Sequence, residues 1–276
     1  MLPKANNDDF PGRYREIVSD PLNMVIERDP KSGFMQGGKV YLHNGLMVPA
    51  VGPHAYYGNF SAILVINRGV HEPLEEYIFQ EVLKSLPKEP TMLELGAYWG
   101  HYSMWLQQLY PGAKSHLVEP EKVNFEAGIL NFKTNGFKGT FVNSFVGKGQ
   151  FSVDEYVRKN KIEKLDILHS DIQGYELEML QDCKVSFENR TIDRVFVSTH
   201  SNALHLACLE ILEKYGYRVE ISSDYDNETT SNDGIIFASS PEIDSIFSNF
   251  KPLGRQEIAN ASSAELAEYI TNIRVR

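Results

Sequence analysis

The chain has 276 residues, 42% of them hydrophobic and 23% charged, which is ample apolar material for one globular unit with a buried core. Its formal net charge is −10 and no run of Lys and Arg interleaves with aromatics, which argues against nucleic acid as a partner. Only Cys183 and Cys208 occur, too few for a disulfide framework and not at metal-ligand spacing, and the longest aliphatic run, Ala62 to Ile66, is far too short to cross a bilayer. With no apolar stretch of signal-peptide length at the start, the expectation is a soluble, cytoplasmic protein with no membrane partner.

In the first third, Lys39 to Ala50 reads as a hairpin, because two alternating runs flank Asn44-Gly45, a dipeptide suited to a type I′ turn. Ser61 to Asn67 reads as a further strand. Leu74, Ile78, Val82 and Leu86 recur at four-residue spacing on a helix that Pro73 starts and Pro87 stops. Residues 1–90 are therefore a β-rich hairpin and helix extension, expected to cap an acceptor pocket.

From Thr91 to residue 240 strands and helices alternate, the pattern of a mostly parallel α/β sheet. TMLELG leads into a helix ending near Tyr110, SHLVEP into a helix from Lys122 to Asn135, and GTFVNSFVG follows. LDILHSD, RVFVSTH and the helix Ala203 to Tyr215 continue the alternation. YRVEIS and GIIFAS then follow each other with no helix between, so the last strand should run antiparallel. Their connection, Ser222 to Asp233, reads as an exposed charged loop, and Asp224, Asp226 and Asp233 as solvated. Residues 241–276 form a tail whose terminal helix, Ser262 to Arg276, packs on the core or on a second copy, which leaves a homo-oligomer open.

Ligands of such sheets bind at the carboxyl ends of the strands, which gathers Glu94 to Gly100, Glu119, Asn143, Ser144, Asp171 and His200 around one crevice. Gly96 and Gly100 sit at a strand-to-helix bend where backbone must come close to a ligand. Glu119 ends the next strand about 20 residues on, where a carboxylate takes the hydroxyls of a ribose. A dinucleotide asks for G-x-G-x-x-G, whereas this chain has E-x-G-x-x-x-G, and Glu94 would repel a pyrophosphate. A nucleoside with an amino-acid tail and no phosphate, S-adenosyl-L-methionine, suits the bend better.

ELGAYWGHYS, LVEP, SVDEYV, LDILHSDIQGYELEML and VSTH, in this order, resemble the FkbM-type family of S-adenosylmethionine-dependent methyltransferases over Val70 to Ser240. The resemblance implies the class I (Rossmann-like) sheet of seven strands with an antiparallel last strand, S-adenosyl-L-methionine as cofactor, and O-methylation of a hydroxyl on a sugar or small natural product. It places Glu94, Gly96, Ala97, Tyr98 and Gly100 under the methionine moiety, Glu119 on the ribose, Asn143 and Ser144 beside the adenine, and Asp171 at the cofactor or acceptor. The family commonly has Lys-Ile-Asp-Val-Glu-Gly where this chain has His169-Ser170-Asp171-Ile172-Gln173-Gly174, so a carboxylate is lost at Gln173 and an imidazole appears at His169.

Methyl transfer is an in-line displacement, so the protein must align the acceptor and take its proton. A base working near neutral pH favours histidine, which makes His200 the first choice and Asp171 its neighbour. His169, one step deeper on the same strand face, reads as a satisfied core histidine, and His101 as loop-facing. His71, Glu72, Tyr56 and Tyr57 are candidates for the wall of a pocket for a sugar or glycosylated metabolite. No metal is assigned, since the acids near Asp171 and His200 have no diagnostic spacing. A noncatalytic cofactor-binding subunit and an NAD-dependent oxidoreductase are the alternatives.

Overall fold

The computed structural model describes residues 4–147 and 149–275. After helix α1 (Phe10–Ser19), started by Asp9 accepting the amide of Gly12, the chain forms a small antiparallel sheet of β1 (Met35–Gln36), β2 (Lys39–Tyr41) and β3 (Met47–Pro49). The expected hairpin is there, with Val40 opposite Val48, but the turn differs from type I′. Of Asn44 and Gly45 only Gly45 has a positive φ, 83°, its amide donates to Leu42 O at 2.9 Å, and Leu42 N donates to Leu46 O at 2.8 Å. This is a three-residue loop closing on a left-handed glycine, the next commonest hairpin connection.

Ser61 to Asn67 is not a strand. Residues Ala62–Ile66 form helix α2, burying Ile63 and Leu64 and leaving Val65 and Ile66 exposed. The apolar run is too short for its periodicity to separate helix from strand, and packing decides. Helix α3 (Pro73–Leu83) follows, with Pro73 in its first turn as expected.

The main sheet comprises β4 (Thr91–Leu95), β5 (Lys114–Val118), β6 (Thr140–Val142), β7 (Leu165–Ser170), β8 (Ile192–Thr199), β9 (Arg218–Ser223) and β10 (Gly234–Ser239), in spatial order β6-β5-β4-β7-β8-β10-β9. β10 inserts between β8 and β9 and runs antiparallel to both, while the other contacts are parallel. This is the class I methyltransferase sheet. The helices between strands are α4 (His101–Leu109), α5 (Lys122–Asn135), α6 (Val153–Lys159), α7 (Glu176–Asp182), α8 (Lys184–Glu188) and α9 (Asn202–Lys214). Only Thr140 to Val142 of the expected GTFVNSFVG strand pairs with the sheet, so Asn143 and Ser144 lie just beyond its tip.

Strand alternation splits the core in two. Met92, Ile167, Phe196 and Phe237 face a cluster that also holds Ile17, Phe60, Ile78 and Trp105, so the front segment packs directly on the sheet. Leu93, Leu95, Leu168, Val195 and Ile236 face the other cluster, under α7 and α9. Each large apolar side chain so buried contributes roughly 2 kcal/mol. Helix α10 (Arg255–Asn260) precedes α11 (Ser263–Arg274), whose Ile270 and Ile273 join the first cluster, so the tail packs on its own core; Arg276 lies outside the described residues. Among the described residues no helix is long and apolar enough to cross a membrane.

Helix α9 begins directly after His200, with Ser201 Oγ accepting the amide of Leu204 at 3.2 Å. Ser201→Ala removes this cap and should cost about 1 kcal/mol, lowering Tm by about 2 °C in a thermal melt.

Candidate functional site

The bend after β4 is held from three sides. Gly96 (φ 70°) and Gly100 (φ 74°) are left-handed, as is Tyr98 (φ 45°), a conformation that is strained for a tyrosine. The amides of Gly96 and Ala97 both donate to Val118 O, at 2.9 and 3.0 Å, and that of Gly100 to Ala97 O at 2.6 Å. Glu119, buried at the tip of β5, accepts the amides of Tyr98 and Glu121, each at 2.9 Å. Glu94 Oε2 accepts the amide of Ser103 at 3.1 Å and so anchors α4. These turn amides are thus spent inside the protein, and the bend offers a pyrophosphate no cradle of free donors.

Burial raises the carboxyls of both Glu94 and Glu119; His169 and Ser103 oppose it at Glu94, the two amides at Glu119. Glu119→Ala frees the amide of Tyr98 and removes the ribose ligand implied by the resemblance. A charged hydrogen bond is worth roughly 1.5–3 kcal/mol, so affinity for S-adenosylhomocysteine should fall by about 10- to 100-fold, measured by calorimetry.

The ends of β7 and β8 bring Asp171 and His200 together as expected. His200 Nε2 lies 3.2 Å from Asp171 Oδ1 and 3.4 Å from Asp233 Oδ1, and its Nδ1 lies 3.0 Å from Glu176 Oε1. Burial works against the cation, but contacts with Asp171 and Glu176 and the charge of Asp233 outweigh it and carry the imidazolium up to about 11. An imidazolium ringed by three carboxylates has no vacancy for a proton at neutral pH. The reading of His200 as a neutral base is therefore revised: it is a cation that positions the acids around it.

Asp233 also corrects the sequence reading, being no solvated loop residue but half-buried against His200. Burial, then the charge of Asp171, push its carboxyl up to about 7 against the pull of His200 and Lys4. Asp233 and His200, 3.4 Å apart, therefore titrate together.

Two cavities meet at Asp171. The larger, about 290 Å³, has Tyr56, Tyr57, His71 and Glu72 in its wall with Asp171 and Asp233, which unites the four pocket candidates with one of the two catalytic ones. His200 is not in that wall. The smaller, about 30 Å³, is a crevice lined by Glu94, Gly96, Ala97 and Tyr98 and shares Tyr56, Tyr57, His71, Glu72 and Asp171 with the first. Tyr57 N donates to the Tyr98 hydroxyl at 2.7 Å, and the two rings lie 5.0 Å apart. Gly100, Glu119, Asn143 and Ser144 border neither space: Asn143 Nδ2 donates to Glu119 O at 2.7 Å, and Ser144 Oγ to Phe145 O at 3.1 Å.

Helix α3 adds groups that the sequence reading missed. Glu72, already a pocket candidate, sits at the N-cap without a side-chain cap bond; its carboxyl accepts the Tyr102 hydroxyl at 3.0 Å, and burial, then Glu75 and Asp171, raise it well above the usual range. Glu75 Oε1 lies 2.5 Å from His169 Nε2, and Glu75 Oε2 accepts the Ser198 hydroxyl at 3.1 Å. Burial disfavours the His169 cation, but Glu75 more than offsets it and shifts the ring upward; His169 is the core histidine expected, satisfied at Nε2 but with no hydrogen bond at Nδ1. The signal was present in the adjacent acids of PLEEY, on a helix whose two ends are apolar. Arg13, Phe60, Gln173 and Asn232 of the larger cavity had no comparable signal. His101 is fully buried in the first turn of α4, not loop-facing.

A family model described as the methyltransferase FkbM domain matches residues 55–219. No curated protein matches the chain. Among solved structures, precorrin-6y C5,15-methyltransferase from Geobacter metallireducens is 15% identical, with 59% of this chain and 87% of that one covered at a TM-score of 0.44. TrmK of M. capricolum, solved with S-adenosyl-homocysteine, is 12% identical, with 71% and 81% covered at a TM-score of 0.43. The METTL16 methyltransferase domain is 12% identical, with 60% and 67% covered at a TM-score of 0.47.

Proposed function

The chain belongs to the FkbM methyltransferase domain family, and from that premise we propose that it methylates a hydroxyl of a sugar or other small natural product. S-adenosyl-L-methionine is the cofactor and supplies the methyl group as an electrophile on sulfur. The residues of the bend suit it: two buried acids, Glu94 and Glu119, and amides already bonded within the fold favour an amino-acid tail and a ribose over a pyrophosphate. The crevice of about 30 Å³, which Tyr57 and Tyr98 help to line, is narrow for a nucleoside.

One observation carries the choice of acceptor: Glu72, Asp171 and Asp233 converge on a cavity of about 290 Å³ whose other wall is Phe10, Tyr56, Tyr57 and Phe60. Aromatic faces take the apolar side of a sugar ring, and carboxylates take its hydroxyls. Asp233, with Asp171 beside it, receives the acceptor proton, and His200 holds both acids from behind. The front segment shapes this cavity through Phe10, Arg13, Tyr56 and Phe60.

The test is incubation with isotopically labelled S-adenosylmethionine and a panel of glycosides, phenols and amines. Label in an ether of a hydroxylated acceptor is expected. Uptake by amines alone would overturn O-methylation while leaving the methyltransferase intact.

A further inference from the structure

Beneath the aromatic wall lies a second cluster of titratable groups, of which His101 also borders the smaller crevice and to which no role in methyl transfer is assigned. His43 comes from the loop of the front hairpin, Glu76 from α3 and His101 from the start of α4, and all three are fully buried. Buried polar atoms nearly always have a partner. Here His43 Nε2, Glu76 Oε2 and both ring nitrogens of His101 have no hydrogen bond.

The surrounding contacts explain which atoms are left over. Glu76 Oε1 accepts the amides of His71 and Glu72, at 2.8 and 3.1 Å, and meets His71 Nδ1 at 2.5 Å, so that oxygen is saturated. Its other oxygen lies 3.1 Å from His43 Nε2. His43 Nδ1 lies 3.3 Å from Glu27 O, and a ring nitrogen facing a carbonyl must carry the hydrogen. In the neutral ring that tautomer turns the Nε2 lone pair on the carboxylate oxygen, acceptor against acceptor, a contact that a second ring proton or a metal ion between them relieves.

We propose that His43, Glu76 and His101 bind one divalent transition-metal ion of the zinc class, as a buried staple between the front segment and the cofactor bend. The candidate ligand atoms lie within 4.8 Å of one another. Two donors on a tetrahedral zinc at about 2.0–2.1 Å stand roughly 3.4 Å apart, close to the His43–Glu76 spacing. Two neutral imidazoles and one carboxylate are a donor set that this ion takes.

The Nδ1 of His43 is held by the Glu27 carbonyl, as the far nitrogen of a metal-binding histidine commonly is, and Trp105 lies 4.4 Å from the ring as apolar cover. The nearby cation, Arg28, directs its guanidinium to the carbonyls of Asn23 and Ile26. A cavity of about 640 Å³ bordered by Glu27, His43 and Gln80 gives the ion a way in that does not pass the acceptor cavity.

The experiment uses the full chain produced with zinc sulfate, desalted, and measured for metal by mass spectrometry. About one zinc per chain is expected, and stripping it with a chelator should lower Tm by about 5 °C or more. His101→Ala and His43→Gln should fall below about a tenth of an equivalent, while His200→Asn should keep its zinc. Loss in His200→Asn with retention in His101→Ala would move the ion to the Asp171 cluster and overturn the assignment. Should the histidine variants not fold, cobalt substitution of the unaltered protein decides: intense visible bands of a four- or five-coordinate ion are expected, and their absence together with zinc-free protein rejects the site.

Discussion

Asp233→Asn should lower kcat by about 100- to 1,000-fold on the acceptor found by methyl uptake, with affinity for S-adenosylhomocysteine kept. Its carboxyl, at about 7, can accept a proton near neutrality and then release it to water, which a carboxylate at its ordinary 3.8 does poorly. The rate of the unaltered enzyme should therefore rise with pH through an apparent midpoint near 7 that belongs to the whole cluster. His200→Asn separates the roles. If His200 positions the acids by its charge, its removal raises the pKa of Asp233 and moves the midpoint to higher pH, with kcat falling about 10- to 100-fold. A surviving midpoint at its original pH, with unchanged turnover, would remove His200 from the mechanism. Stability gives an independent check. The His200 value is raised in the folded chain, from 6.5 to about 11, so its contribution is complete below about 6.5 and disappears as pH rises through 11. The Tm difference between the unaltered protein and His200→Asn should shrink from pH 7 towards pH 11.

Gly96→Ala is expected to be the most damaging single methyl group in the bend. A Cβ at Gly96 would stand 1.7 Å from the carbonyl oxygen of Asp171, which is backbone and cannot swing aside, and φ is 70°. The clash pushes β4 from the chain after β7 at the point where the turn meets Asp171. The cost should exceed about 3 kcal/mol, a Tm loss of about 6 °C or more, with S-adenosylhomocysteine binding abolished. Gly174→Ala is the matched control, since φ is 107° but nothing lies within 4 Å. It should cost only the strain of about 1–3 kcal/mol and leave binding measurable. Equal losses in the two variants would show that conformation, not the close approach to Asp171, is what Gly96 serves.

The alternation of strands and helices was legible because a buried parallel sheet writes long apolar runs punctuated by glycine, and the pair Arg218–Ser223 and Gly234–Ser239 announced its antiparallel partner by lacking a helix between. Gly96 and Gly100 were legible as a bend, though their immediate reason is the backbone of Asp171 and the ring of Phe132, not a ligand alone. What stayed hidden depends on contacts remote in sequence. Ala62–Ile66 carries β-branched residues, yet its place beside the front sheet makes it a helix. Glu75 and Glu76 look like the polar side of an amphipathic helix, but His169 and His71 reach them from other elements. Asp233 sits in a run of polar letters that reads as loop, and only the pairing of β10 with β8 brings it to His200.

On the proposed function, the bend after β4 receives a nucleoside with an amino-acid tail and refuses a dinucleotide, because Glu94 and Glu119 hold it and its amides are bonded within the fold. Calorimetric titration of the purified chain with S-adenosylhomocysteine and, separately, with NAD tests this directly. One site with a Kd of about 1–100 μM for S-adenosylhomocysteine and no heat with NAD is the predicted result. Saturable binding of NAD with none of S-adenosylhomocysteine would contradict it.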